Sequence, residues 1–153
     1  SKEMMNAFEQ LLGNRIFVCA VTGWFVAQLL KTIIHVLVTG KFEPERLTGS
    51  GGMPSSHSST VCAMATAAGR LYGLGSFEFA VTVILAIIVM HDAMGVRLET
   101  GKQAKLINEI VDTFKTMSGK TLAEEKLKEF VGHTPLQVLI GAILGIVIGF
   151  LAV

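Results

Sequence analysis

The polar residues best suited to chemistry lie in three short stretches separated by long apolar runs. The first stretch, GGMPSSHS at positions 51–58, combines two glycines and Pro54 with Ser55, Ser56 and His57. The glycines free the backbone to turn, and a proline favours a helix that begins beside it. Because the first N–H groups of a helix bind anions, we interpret this stretch as a phosphate-binding loop in which the two serines add donors and His57 transfers a proton. An ordinary loop with serine helix caps is the alternative.

The other two stretches contribute Asp92, Arg97 and His133. Asp92 directly follows an apolar run, where a lone carboxylate is costly, so we expect it either to pair with Arg97 or to orient a histidine. His133 directly precedes a predicted helix, and a neutral imidazole there is a competent nucleophile toward phosphorus. A surface histidine at a helix cap is the alternative. We interpret His35 and His91 as polar packing residues.

Four predicted membrane helices hold these residues in place. About 20 apolar residues cross a bilayer, and the apolar runs lie at 16–38, 59–74, 76–96 and 134–153. The second run is rich in Ala, Gly, Ser and Thr, which allow close helix packing, so we predict a short inner helix shielded by its neighbours. Four passes bring all three polar stretches to the same side of the membrane.

Three further cations could bind an anion on that side. Lys41 and Arg46 lie in the loop before the first polar stretch, and Lys31 lies inside the first membrane helix. Lys31 shares one helical face with Gln28 and His35, because the three are spaced by three and four residues. A bare lysine in hydrocarbon is expensive, so this face should look into protein or water.

Two amphipathic regions complete the chain. Residues 4–12 are predicted to lie in the membrane interface. Residues 99–131 are predicted to form an extramembrane insert of two helical pieces, the second opened by a capping box of Thr121 and Glu124. We therefore predict an all-α fold: a polytopic membrane bundle of about four membrane helices plus interfacial amphipathic helices, in one domain spanning 1–153.

The composition restricts the functional class. The 153 residues are 51% hydrophobic and only 16% charged, whereas a soluble domain has about 25% charged residues. The net charge is +1, so no nucleic-acid partner is expected. Cys19 and Cys62 lie in apolar runs without zinc-type spacing, and we expect no metal and no other cofactor. The partners expected are membrane lipids. Because Gly141, Gly145 and Gly149 form a close-packing ridge, a homodimer is also considered.

Three motifs, in order along the chain, resemble the divergent branch of the type 2 phosphatidic acid phosphatase superfamily, which also contains the vanadium haloperoxidases. They are GGMPSSHSST, HDAMGVRLETGKQAKLIN and GHTPLQVLIGAILG. Residues 54–57 resemble the Pro-Ser-Gly-His motif of that superfamily, and residues 133–141 resemble its His-x-Pro-x-Asp-Val-x-x-Gly motif. The resemblance implies that His133 is the nucleophile and His57 the general acid. Gln137 stands where the superfamily has the aspartate that orients the nucleophile, and we predict that Asp92 takes that role.

The reaction that the resemblance implies is hydrolysis of a lipid phosphate or diphosphate through a phospho-histidine, without a metal. Arg97 is the first choice for the cation that binds the phosphoryl group, and Lys31 or Lys41 is the second. The first superfamily motif, a lysine followed by Arg-Pro, has no clean match. Two alternatives are a protein that binds or transports a lipid phosphate without turnover and a structural membrane module with a degenerate site.

The distribution of basic residues predicts that the site faces the cytoplasm, because loops rich in Lys and Arg stay on that side of a membrane. The side with the three motifs carries many more of them than the other side, which has only Lys2, Arg15 and Arg70. Those on the motif side are Lys41, Arg46, Arg97, Lys102, Lys105, Lys115, Lys120, Lys126 and Lys128.

Overall fold

Helices make up most of the computed structural model of the protein, which describes residues 1–49, 52–119, 127, 129 and 132–153. Six α-helices occur in these ranges: α1 (Lys2–Gly13), α2 (Arg15–Thr39), α3 (Ser56–Tyr72), α4 (Phe77–Met94), α5 (Val96–Ser118) and α6 (Pro135–Ala152). A 3-10 turn, Pro44–Leu47, lies between α2 and α3. No β-strand is present in the part of the chain that the structure describes. The predicted all-α fold is confirmed.

The central helix is α3, and α2, α4 and α6 pack around it. Nine of its 17 residues are buried, and most of these are serine or alanine. Small side chains let the neighbouring backbones approach closely, which explains why so polar a segment can occupy the centre of the bundle. The predicted inner helix, shielded by its neighbours, is confirmed.

The glycine ridge of α6 faces α3. A Cβ atom at Gly145 would collide with the backbone oxygen of Ser59, and one at Gly141 would collide with that of Ser55. The ridge therefore serves close packing within the chain, with α6 and α3 running in the same direction. Since this face is already occupied, it no longer argues for a homodimer, which stays a prediction.

The two remaining helices run antiparallel to α3. Cys19 of α2 lies with its Sγ atom 3.6 Å from the carbonyl oxygen of Ala63, and Cys62 lies with its Sγ atom 3.8 Å from Met90 Sδ of α4. The C-terminal ends of α2 and α4 and the N-terminal ends of α3 and α6 consequently meet. We call this the site end of the bundle, because all three polar stretches lie there.

Three helical segments are long and apolar enough to cross a membrane: α2, the stretch Phe77–Ser118 that contains α4, and α6. The outer surface of the bundle is apolar, with Phe25, Leu29, Ile33, Ile84 and Ile88 exposed. Such a surface is suited to lipid, and the chain is a membrane protein with an all-α bundle. The count of four passes depends on α3, which is not among the three segments, and stays a prediction.

Two amphipathic helices extend from the bundle. Helix α1 has no buried residue and exposes Met4, Met5, Phe8, Leu11 and Leu12. Helix α5 begins after Gly95 and, of the helices described, packs only on α4. Asn108 of α5 is hydrogen-bonded to the backbone of Leu127 and to Glu129, so the chain returns along α5 there. The predicted capping box of Thr121 and Glu124 lies outside the described residues.

Candidate active site at one end of the bundle

The serine stretch caps the inner helix. The Ser55 hydroxyl accepts hydrogen bonds from the N–H and the hydroxyl of Ser58, at 3.3 and 3.0 Å, and the Ser55 N–H donates to the carbonyl of Gln137. Ser55 and Ser56 are both buried, at 0% and 2% exposure. The Ser55 hydroxyl caps α3, which begins directly after it, and substrate binding by Ser55 and Ser56 stays a prediction.

His133 is held from two sides by backbone. Its N–H donates to the carbonyl of Ala93 at the end of α4. Gly132 has a φ of +81°, and a Cβ atom there would collide with the backbone of Arg97 and Leu98. Only glycine fits so close an approach in this conformation. The result is a buried His133, 2% exposed, fixed between the end of α4 and the first polar loop.

The contact of the His133 ring with a backbone carbonyl fixes which of its nitrogens carries the proton. Its Nδ1 atom lies 3.1 Å from the carbonyl oxygen of Gly52. A carbonyl can only accept a hydrogen bond, so Nδ1 carries the proton and Nε2 keeps its lone pair. Burial, and then the charge of Lys31, lower the pKa of His133 from 6.5, against the raising effect of its hydrogen bonds to Gln137 and Gly52. A neutral imidazole with an unprotonated Nε2 is the form that can attack phosphorus.

Asp92, Arg97 and His57 form a chain of polar contacts. The Arg97 Nε atom donates to an Asp92 carboxylate oxygen at 2.8 Å, and Arg97 Nη1 lies 3.2 Å from His57 Nε2. Since a guanidinium can only donate, His57 Nε2 accepts and the His57 ring is neutral here. Of the two roles we considered for Asp92, the structure shows the pair with Arg97.

The predicted contact of Asp92 with His133 is absent among the residues that the structure describes. The physical reason is the path of the first polar loop, which places the Gly52 carbonyl at the Nδ1 atom that a carboxylate would otherwise occupy. Asp92 instead reaches the other histidine, His57, through Arg97.

Lys31 is a buried cation beside both histidines. Its side chain is 3% exposed, and its Nζ atom has no hydrogen-bond partner within the described ranges. Its methylene groups pack beside Gly52, where a Cβ atom would lie 3.5 Å from Lys31 Cγ. The inward-facing side of α2 also holds Gln28, which donates to the Gly49 carbonyl, as the sequence predicted for this face. An unpaired buried ammonium is costly, so this site favours a bound anion.

Beside Lys31, a cleft of about 270 Å³ opens between α2 and α6. We call it the cation cleft, and it is lined by Lys31, Ile34, His35, Val38, Arg46, Gly52, Met53 and Gln137. Arg46 lies 3.9 Å from Glu43, which is also 3.1 Å from His35 Nε2. Lys41 is exposed and does not line the cleft, so the structure does not bring this predicted ligand to the site.

The arrangement can bind and polarise a phosphate. It combines an unprotonated imidazole nitrogen on His133, a second imidazole on His57, and the charges of Arg97 and Lys31. Within the described part of the chain, no three His, Cys, Asp or Glu side chains come close enough to hold a metal ion. The histidines and cations named above support acid–base and nucleophilic chemistry on an anion.

Two contributions were missed in the sequence. The Gly52 carbonyl carries no side-chain signal, and only the paired glycines of the loop could have indicated a backbone group turned into the site. Gln137 was read as a missing aspartate, but its side chain accepts from the Thr134 N–H and completes a capping box at the start of α6. The pattern Thr134-x-x-Gln137 is a recognisable capping signal.

The sequence of the chain is similar to a known protein family and to a bacterial membrane protein. The family model described as the divergent PAP2 family, where PAP2 denotes type 2 phosphatidic acid phosphatase, matches residues 12–148. The uncharacterized membrane protein YuiD of Bacillus subtilis (strain 168) is 36% identical over 148 residues, which cover 91% of this chain and 94% of YuiD. No solved structure matches the chain. Since the family match includes all three polar stretches, the chain belongs to the divergent PAP2 family.

Proposed function

We propose that this membrane protein is a phosphatase that hydrolyses a lipid phosphate or diphosphate through a phospho-histidine intermediate. The observation that carries the proposal is the state of His133, which is buried and held at Nδ1 by the Gly52 carbonyl, so that the proton lies on Nδ1 and Nε2 is unprotonated. Lys31, buried and without a hydrogen-bond partner among the described residues, supplies a charge beside it. Together they support in-line attack on a bound phosphoryl group.

In the first step, His133 Nε2 attacks phosphorus. The P–N bond forms, the P–O bond to the leaving group breaks, and the leaving oxygen keeps the electron pair. In the resting site His57 accepts from Arg97. When Arg97 turns toward the phosphoryl oxygens, its hydrogen bond to His57 breaks. His57 can then bind a proton and give it to the leaving oxygen.

In the second step, His57 takes a proton from water, and the resulting hydroxide attacks the phosphorus of the phospho-histidine. The P–N bond breaks, inorganic phosphate leaves, and His133 regains its lone pair. Arg97 and Lys31 stabilise the charge on the phosphoryl oxygens in both steps. A site at the end of the bundle suits a substrate whose head group lies in water and whose chain lies in lipid.

The test is phosphate release from a panel of lipid phosphates by the purified protein. His133→Ala should reduce the rate at least about 1,000-fold, because a nucleophile has no substitute. His91→Ala is the matched control, since His91 is exposed near the end of α4 and outside the site. Equal rates for the wild type and His133→Ala would end the proposal.

Two alternatives without turnover stay open. A lipid-phosphate binding or transport protein is favoured by the neutral His57, which in the resting site has no proton on Nε2 to give. A structural membrane module would have an inert site. Orthovanadate separates them: a binding protein holds it without releasing phosphate from any lipid, and a structural module does not bind it.

A further inference from the structure

The cation cleft is separate from the His57 and Arg97 side of the site. Neither residue lines it, and its own charged groups come from α2 and the 3-10 turn. The cleft also has an apolar wall of Ile34 and Val38 on α2, which leads toward the exposed Leu37 and the lipid-facing surface. A ligand in the cleft can therefore have an anionic end and an apolar end.

The charges of the cleft are not balanced within the described residues. Lys31 is 3% exposed and its ammonium has no hydrogen-bond partner there. Arg46 faces Glu43 at 3.9 Å, and Glu43 is shared with His35 at 3.1 Å. The half-exposed Glu43 carboxylate can neutralise one of the two cations, Lys31 and Arg46. The cleft therefore keeps a positive charge that an anion would neutralise.

Gly52 separates the cleft from the nucleophile. Its carbonyl oxygen accepts from His133 Nδ1, while its Cα lies against the Lys31 methylenes and lines the cleft. Gln137 also lines the cleft, and it follows His133 by one turn at the start of α6. An anion in the cleft is consequently a close neighbour of a phosphoryl group at His133.

We propose that the cation cleft binds the second phosphoryl group of a lipid diphosphate, the one attached to the lipid, and so selects a diphosphate over a monophosphate. This inference rests on the proposed function. The terminal phosphoryl group then lies at His133, the lipid-linked phosphate lies between Lys31 and Arg46, and the chain passes along Ile34 and Val38 into the bilayer.

The reaction balances with the groups described. His133 Nε2 forms a bond to the terminal phosphorus, and the anhydride P–O bond breaks. The lipid monophosphate leaves with the electron pair in the cation cleft. Water then displaces His133 from the terminal phosphorus and gives inorganic phosphate. Arg46 touches only the leaving group, which makes it a specificity-determining residue.

The experiment measures equilibrium binding, so it does not depend on turnover. The protein in lipid nanodiscs is titrated with farnesyl methylenediphosphonate and with farnesyl phosphonate, neither of which can be hydrolysed at phosphorus. The wild type should bind the diphosphonate about 10-fold or more tightly than the monophosphonate. Arg46→Gln should abolish most of the difference in affinity between the diphosphonate and the monophosphonate, because it removes a positive charge that is partly shielded from water. Arg46→Lys should restore part of it.

Lys105→Gln is the matched control, because it removes one exposed cation from α5 outside the cleft, and it should keep the wild-type preference. An equal affinity of the wild type for the two phosphonates overturns the inference without any variant. So does an Arg46→Gln protein with the full wild-type preference.

A third ligand, methylenediphosphonate without a chain, identifies the source of the second phosphate. If methylenediphosphonate binds more weakly than farnesyl methylenediphosphonate, the ligand is a lipid diphosphate. If the two bind equally, the proposal of a lipid ligand is overturned and the ligand is a soluble diphosphate. If the binding results hold but no lipid phosphate or diphosphate is hydrolysed, then the proposed function fails while the cleft assignment stands.

Discussion

At the scale of single residues, the site uses a backbone oxygen where a carboxylate would be the ordinary choice. The Gly52 carbonyl fixes the tautomer of His133, but it brings no negative charge. A carboxylate partner would stabilise the protonated ring, whereas a carbonyl does so only weakly. The imidazole of His133 is therefore oriented without being made strongly basic.

This has a consequence for pH. Burial, followed by the charge of Lys31, lowers the pKa of His133 from 6.5, so the neutral, nucleophilic form persists into mildly acidic solution. We expect kcat/KM to hold as the pH falls to 6.5 and to decline only below it. The folding free energy that His133 contributes should likewise be present above pH 6.5 and be lost as the pH falls through the lowered pKa.

The measurement is a pH–rate profile together with an NMR titration of the histidine rings, with the His133 signal assigned by its loss in His133→Ala. An imidazole signal of His133 that titrates above pH 6.5 would contradict the expected direction.

Arg97 is the second residue whose chemistry can be isolated. Its planar guanidinium bonds Asp92 and His57 at once, and it could make two parallel hydrogen bonds to phosphate oxygens, which a lysine ammonium cannot reproduce. Arg97→Lys should reduce phosphate release about 100-fold. Arg70→Lys is the control, because Arg70 lies at the far end of α3. A near-wild-type rate in Arg97→Lys would transfer the role to Lys31.

At the scale of helices, the bundle depends on the contact between α3 and α6. At Gly145 an added methyl group would meet the backbone oxygen of Ser59 and the backbone nitrogen of Ala63, neither of which can move aside cheaply. Gly145→Ala should therefore destabilise the fold by about 1–3 kcal/mol and lower Tm. Gly13→Ala, in α1 with nothing within 4 Å of the added atom, should leave Tm unchanged or slightly raised. A Gly145→Ala protein with wild-type Tm would show that α6 can shift away from α3.

The helices were largely predictable because their signals are periodic. The inward face of α2 followed from the spacing of Gln28, Lys31 and His35, and the small residues of α3 indicated its central position. The partner of the glycine ridge was not predictable, since a GxxxGxxxG pattern shows that a face packs closely and not which helix it meets. The start of α3 was predicted at Pro54, whereas the helix begins at Ser56, because the Ser55 side chain caps it.

The prediction that Asp92 orients His133 was wrong for a related reason. Counting passes places residues at the same membrane depth, and Asp92 and His133 do share the site end. Depth does not specify which groups meet, and here the Gly52 carbonyl contacts the His133 ring while Asp92 pairs with Arg97. The contacts made by irregular backbone were the part of the site that the sequence could not determine.

At the scale of the whole molecule, the remaining question is which compartment the site end faces. The excess of Lys and Arg on that side predicts the cytoplasm. After replacement of Cys19 and Cys62, a cysteine at Lys102, which is exposed on α5, should resist an impermeant thiol reagent in intact cells and react after lysis. A cysteine at Lys2, near the other end of the bundle, should react in intact cells. The reverse pattern would show an inverted orientation.

The Gly52 carbonyl also affects how such proteins are recognised. A scan that replaces side chains one at a time could detect a role of His133 but not the group that orients its ring, because a peptide oxygen survives every substitution. Only a change to the backbone itself, such as an ester in place of the amide between Gly52 and Met53, would weaken that acceptor. A search that requires an aspartate at position 137 would likewise dismiss the chain as inactive. The absence of a carboxylate at position 137 therefore does not by itself leave the His133 ring without an orienting partner, because the Gly52 carbonyl oxygen lies 3.1 Å from its Nδ1 atom.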